Sequence, residues 1–369
     1  MAKKHMKNGK FMAITLPIAG VCLAAAIALP ILGETFSVSI DTTMGLGQLH
    51  VVDAEGSEKW DTNYIDVKYK KRADSREAAN KISKEIADEG IVLLKNEGNA
   101  LPLAKNTQVA PFGDGYRSPT YGGSGSGNVD TTKDYIFTPA KALKKHFSVN
   151  SAIESITLNK DKVASVKEAA GTSGAVAGSG MFKNDFSLLG VPTTEYEGVK
   201  TQISGTTAIM FITRGGGEAN DIKHDGYEDG TRHALALSKN EKDTIKYLKD
   251  NGASKIISII ISSNVMELDV LQSGEYATDA ILWVGGPGAA GFESMADILV
   301  GDVNPSGRTA DIYAKDLLKT PALTNFGSYE YTNAEYEWSG SQHKGHFVQY
   351  EEGIYVGYKY YETAASVGA

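Results

Sequence analysis

The stretch Lys255-Ile256-Ile257-Ser258-Ile259-Ile260-Ile261 decides the fold. A nearly all-aliphatic run of this length is a strand with both faces covered, the mark of a largely parallel sheet. Two similar runs flank it, Thr207–Thr213 before and Ala280–Val284 after. Between the first pair, Ser238-Lys239-Asn240-Glu241 forms a capping box that opens a helix, and Asn251-Gly252 closes it. After the last strand, Gly285-Gly286-Pro287-Gly288 leads into a helix near Phe292–Val300. Upstream, Gln108–Phe112 and Ile91–Leu94 read as further strands. Thr138-Pro139 opens a helix to about Lys145, with proline at its favoured first position. Ser75 is expected to cap a helix through Asp88, with Ala78, Ala79, Ile82 and Ile86 on its apolar face and Gly90 ending it. Strands alternating with helices imply an α/β fold, a mostly parallel sheet flanked by helices, over residues 74–324.

Composition narrows the classes. The chain has 369 residues, 41% hydrophobic and 22% charged, which is globular rather than disordered. Its formal charge of −8 disfavours nucleic acid as a partner, because phosphate binding needs a basic face. Cys22 is the sole cysteine, which rules out an intrachain disulfide and a thiolate zinc cluster. The close pair His343 and His346 lacks the cysteines or His-Glu-x-x-His helix of a metal site, so no metal and no cofactor are expected.

Lys3, Lys4, Lys7 and Lys10 precede the uncharged run Phe11–Leu32. About 20 apolar residues span a bilayer core, and the lysines should stay cytoplasmic. Residues 1–34 therefore read as an uncleaved signal anchor with one transmembrane helix, a cleaved signal peptide being the alternative. The main domain is expected outside the cell, on a membrane partner. Residues 35–73 show no sustained periodicity and read as an extracellular linker. Residues 325–369 form an aromatic-rich extension with eight of the chain's 18 tyrosines, suited to packing on a further domain or to lining a sugar site.

Four loops follow the parallel strands: Gly113–Tyr116, Arg214–Asp221, Ser262–Asn264 and Gly285–Gly288. In a parallel sheet all four open on one edge, where α/β proteins bind ligands. The second loop reads Arg214-Gly215-Gly216-Gly217-Glu218-Ala219-Asn220-Asp221. Its glycines let backbone approach a ligand closely. A part-shielded carboxylic acid there can be tuned to donate a proton near neutral pH. Glu218 is thus the candidate acid, with Arg214, Asp221, His224 and Asp225 placed to bind or orient; a solvated loop carboxylate is the alternative. Glu267 and Glu293 also follow strand ends and read as helix-terminal surface residues. Tyr121–Gly127 has glycines at alternate positions without the dinucleotide spacing, and no Gly-x-Ser-x-Gly elbow occurs.

Five segments, in order, carry a resemblance: Ala87–Asn96 with Leu101-Pro102-Leu103, Tyr121–Gly127, Arg214–Asp221, Gly301–Arg308 and Tyr350–Tyr358. The chain resembles the α/β sandwich domain of glycoside hydrolase family 3, the β-glucosidase-type enzymes. The resemblance implies a retaining mechanism shared between two domains. An aspartate nucleophile comes from a (β/α) barrel in a Ser-Asp-Trp motif, and an acid/base glutamate comes from the sandwich in a Gly-Glu-Gly-x-Asp-Arg-like stretch. Here that stretch reads Gly217-Glu218-Ala219-Asn220-Asp221-Ile222, which maps Glu218 to the acid/base and departs from the pattern at Ala219 and Ile222. The implied partners are a β-linked oligosaccharide or glycoside and a barrel domain in the full protein or on a partner chain. No Ser-Asp-Trp occurs in the sequence, so a fragment, a truncated product or one half of a split enzyme is expected. Lys145-His146-Phe147 imitates a barrel motif but falls at a helix-to-strand junction of the sandwich. A membrane-tethered, non-catalytic carbohydrate-binding module is the competing function, and a nucleotide binder a weaker one.

Overall fold

A computed structural model of the chain describes residues 8–37, 55–56, 59, 68–123, 129–166, 188–216, 226–327, 329–338 and 340–368. Two compact units divide it, Met1–Lys68 and Tyr69–Ala369. The first holds helix α1 (Asn8–Thr35), whose segment Thr15–Gly33 is long and apolar enough to cross a membrane, with a mean hydropathy of 2.2. Most of the expected linker, residues 38–54 and 60–67 in particular, lies outside the described residues.

The second unit begins with α2 (Arg72–Gly90), followed by β1 (Val92–Asn96) and β2 (Gln108–Phe112). After the short turn of helix α3 (Asp114–Arg117) come α4 (Pro139–His146), β3 (Ser148–Val149) and α5 (Ser151–Thr157). A small antiparallel pair, β4 (Ala164–Val166) and β5 (Leu188–Gly190), precedes β6 (Thr207–Thr213). Then follow α6 (Lys239–Asp250), β7 (Lys255–Ile261), α7 (Asp269–Gln272), β8 (Ala280–Trp283) and α8 (Gly291–Leu299). The unit ends with α9 (Pro321–Thr324), the hairpin β9 (Tyr329–Trp338) and β10 (Ser341–Phe347), and α10 (Tyr358–Val367).

Six strands form one sheet in the order β1-β8-β7-β6-β2-β3. The last five are mutually parallel, and β1 runs antiparallel to β8 with a register shift between Leu93 and Lys95. Residues alternate between two cores, as a strand's period of two requires. Ile209, Phe211, Ile257, Ile259 and Leu282 face one side with Leu143 of α4 and Phe292 of α8. Ala208, Met210, Ile212, Ile256 and Ile260 face the other with Ile245 and Leu248 of α6. This is the expected α/β sandwich.

Local signals account for most boundaries. Thr138 Oγ1 accepts the Lys141 amide at 3.1 Å and caps α4. Both arms of the Ser238–Glu241 capping box form at the start of α6. The junction at Lys145-His146-Phe147 is helix to strand, as read. The expectation for α2 needs correction. The helix opens at Arg72 behind Lys71, which makes no side-chain cap, so Ser75 lies inside it and the boundary at 73/74 falls within its first turn. Its face toward the protein carries Lys84 and Ala87, whereas Ile82 and Ile86 are exposed.

An ion-pair network explains that choice of face. Asp297 of α8 meets Lys84 of α2 at 3.0 Å, and Lys145 and His146 of α4 at 2.8 and 2.7 Å. Burial would raise the Asp297 pKa, but the hydrogen bonds from Lys145, His146 and Lys84 outweigh it and hold the carboxyl below the ordinary value of 3.8.

Candidate active site

The strand order contains a switch point. From β2 the chain crosses to β3 on one side, whereas β6, β7 and β8 follow in turn on the other. The loops after β2 and β6 therefore leave their strands in a crevice where connections diverge, the place where open α/β sheets take ligands. Gly113 follows β2 with φ 88°, and a Cβ there would meet the Phe211 carbonyl oxygen at 2.2 Å, so only glycine fits.

The four loops meet at this rim. The Thr120 amide donates to Thr213 Oγ1 at 3.2 Å, and the Gly288 amide to the Tyr121 carbonyl at 2.8 Å. Asn264 Nδ2 donates to the Gly215 carbonyl at 3.1 Å, close enough that a Cβ on Gly216 would lie 2.6 Å from that nitrogen. Trp283 Nε1 donates to the Ser262 carbonyl at 3.0 Å. Loops from β2, β6, β7 and β8 thus interlock by backbone and side-chain bonds.

Arg214 begins the glycine-rich loop. It is 6% exposed, and its fork is filled by the protein. Nη1 and Nη2 each donate to one oxygen of Glu241 at 2.7 Å. Nη1 also reaches the Thr213 carbonyl and Nη2 the Ala236 carbonyl, both at 2.8 Å, while Nε reaches the Ala234 carbonyl at 2.5 Å. Burial would depress the guanidinium pKa, but the Glu241 carboxylate outweighs it and the net shift is upward. All five N–H donors of an arginine are used here. The fork therefore has no donor left over for a ligand.

Glu218, Asp221, His224 and Asp225 lie within residues 217–225, outside the described residues. The chain is described again from Gly226. The Tyr227 amide donates to the Thr231 carbonyl at 2.8 Å, and Thr231 Oγ1 accepts the Lys239 amide at 2.9 Å. His233 is 1% exposed. Its Nδ1 accepts the Leu235 amide at 3.2 Å, which puts the ring proton on Nε2, 3.0 Å from Glu267 Oε1. Burial lowers the His233 pKa more than Glu267 raises it, so the ring is neutral at pH 7.

Glu267 departs from expectation. It is buried rather than a surface residue, accepts the Leu317 amide at 2.7 Å, and faces His233 and Arg232. Its partners sit 34 or more positions away in sequence, so no local pattern reveals them. Glu293 does sit in the first turn of α8, bonded to Lys145 at 2.8 Å. Sequence reasoning passed over Asp114, the residue after Gly113 at the switch point. Burial raises its pKa, partly offset by the Arg117 guanidinium with which it pairs. The signal available was its place in the first of the four loops.

His146, Asp297 and Asp302 bring ligand atoms within 4.8 Å of one another. Lys84 and Lys145 already sit on Asp297, and Lys105 lies 2.8 Å from Asp302, so ammonium groups take the place of a cation.

The family profile of the glycosyl hydrolase family 3 C-terminal domain matches residues 91–358. Beta-glucosidase A of Butyrivibrio fibrisolvens is 29% identical over 293 residues, which are 76% of this chain and 32% of that protein. A beta-glucosidase structure from Paenibacillus barengoltzii shares 26% identity with a TM-score of 0.58, covering 78% of this chain and 28% of its own. Beta-glucosidase 3B of Thermotoga neapolitana, solved in complex with glucose, shares the fold at 24% identity and a TM-score of 0.55, over 79% of this chain and 37% of its own. The chain spans about a third of the length of the relatives it matches.

Proposed function

Because the chain belongs to the glycosyl hydrolase family 3 C-terminal domain family, we propose that it is the sandwich portion of a retaining, β-glucosidase-like glycoside hydrolase. Glu218 is its acid/base. The observation that carries this reading is the glycine-rich loop leaving β6 at the β2/β6 switch point, started by Arg214 and tied to the β7 loop through Asn264.

In a retaining mechanism two carboxyl groups face each other about 5–5.5 Å apart across the glycosidic bond. The aspartate nucleophile attacks the anomeric carbon from a barrel supplied by another segment or another chain. Glu218 protonates the leaving oxygen, then takes a proton from the water that releases the sugar. Asp221, His224 and Asp225 orient the acid and the sugar, and Arg214 orients the loop. The substrate is a β-linked glycoside. The aromatic extension 325–369, with Tyr350, Ile354 and Tyr358 more than half exposed, meets the barrel. Helix α1 anchors the domain outside the cell.

The test supplies a family barrel to the full chain and compares Glu218→Gln with the parent. On cellobiose the rate falls by about 10²–10⁴, the usual share of general acid help. On an aryl glucoside with a good leaving group it falls far less. Equal losses on both substrates, or none, remove Glu218 from the role. Ala219 and Ile222 depart from the family stretch and favour one second reading, a tethered carbohydrate-binding module. Calorimetry showing cello-oligosaccharide binding by the chain alone, unaffected by Glu218→Gln, selects it.

A further inference from the structure

The loop that carries Glu218 leaves β6 at Arg214 and returns to the sandwich at Ala234–Ala236, just before α6. Both ends of that excursion are tied to one guanidinium. Its Nη1 holds the Thr213 carbonyl on the outgoing side. Its Nε and Nη2 hold the Ala234 and Ala236 carbonyls on the returning side. The guanidinium in turn donates two bonds to Glu241, whose Oε2 also accepts the Ser238 amide at 2.8 Å. Glu241 is therefore shared between the cap of α6 and the neck of the loop.

The geometry points to Arg214 and Glu241 as a positioning pair: a buried clasp that ties the Thr213 end of the excursion to its return at Ala234–Ala236 and so fixes the spacing of the two ends between which Glu218 lies in the sequence. The inference deepens the proposed function and rests on it for the identity of that acid. Three physical features support it. A planar fork with five donors can span three carbonyls and a carboxylate at once, which an ammonium cannot. Both partners are buried, Arg214 at 6% and Glu241 at 7% exposure, so the bonds do not compete with water. The capping role alone does not need the pair, because an uncharged glutamine fills the same capping-box position.

Two variants separate the clasp from the fold. Arg214→Lys keeps the charge opposite Glu241 but gives up the fork. Glu241→Gln keeps an acceptor for the Ser238 amide but removes the carboxylate. Hydrogen exchange on the full chain gives the first readout. With a working clasp, peptides within 215–236 exchange at least about tenfold faster in either variant, while β6 and β7 keep the parent's protection. Unchanged exchange there, or acceleration spread evenly over the sheet, overturns the clasp. The second readout supplies the barrel. Arg214→Lys lowers kcat on cellobiose on the order of 10–100-fold, as for a catalytic group displaced by about an ångström, with KM held. The aryl glucoside suffers much less. Equal loss on both substrates overturns the positioning role. If the exchange result holds while Glu218→Gln shows no leaving-group selectivity, the clasp stands and the acid/base assignment falls.

Discussion

Strand β7 and strand β9 are both rich in good strand formers, yet they end in opposite environments. In β7, Ile256, Ile257, Ile259, Ile260 and Ile261 are all buried, shared between the two cores. In β9, Tyr329, Tyr331 and Tyr336 are each about half exposed. The hairpin they belong to holds itself together with cross-strand ring contacts: Tyr331 on Phe347 at 4.8 Å and Tyr336 stacked on His343 at 5.6 Å. An isolated two-stranded hairpin is marginal in water. The contrast teaches that one chain uses apolar side chains in two ways, to fix its own sheet and to present a surface.

Breaking the buried side of this comparison has the largest effect. Phe211 is fully buried in β6, its ring 5.2 Å from that of Tyr116. Phe211→Ala should cost about 3–5 kcal/mol in denaturant unfolding of the full chain. A cost below about 1 kcal/mol would show that the sheet does not carry the stability assigned to it.

An intermediate effect comes from the charge network on one face of that sheet. The Asp297 carboxyl is held below its unfolded value, so its contribution is present above pH 3.8 and is lost as the pH falls through the folded pKa. Asp297→Asn leaves Lys84, Lys145 and His146 without their common partner and should cost about 1–3 kcal/mol at pH 7, less than a fully buried pair because both ammonium groups reach solvent. The gap between variant and parent should close on acidification. A gap that stays constant down to pH 3 contradicts the assignment. The exposed side gives the smallest effect. Tyr350 is 75% exposed, and Tyr350→Ser should change the stability of the chain alone by less than about 0.5 kcal/mol. The same variant should weaken association with a supplied barrel; unaltered association would move the docking face elsewhere.

The sequence disclosed the fold wherever burial was two-sided. Gln108–Phe112, Thr207–Thr213 and Lys255–Ile261 were read to the residue, because a strand covered on both faces has no polar position to blur its ends. The α6 boundary was legible because its cap is local. The packing face of α2 was not. The pattern of Ala78, Ile82 and Ile86 looks like a core stripe, but the attraction of Lys84 for Asp297, more than 200 residues away, turns the other face inward. The direction of β1 leaves no mark in composition. At the candidate site, Arg214 was noticed for its place at a strand end, whereas its tie to Glu241 and the burial of Glu267 depend on partners that only the fold brings together.

The two ends of the six-stranded sheet have a further consequence. At one end β3 offers two residues, too short to template another strand. At the other, β1 is broken by its register shift, and Lys95 within it sends its ammonium to the Gln272 carbonyl at 2.7 Å. Edges shortened or bulged in this way resist growth of the sheet by strand addition between molecules. The domain can therefore carry a long, strongly aliphatic centre without inviting fibrillar self-association through the edges of that sheet.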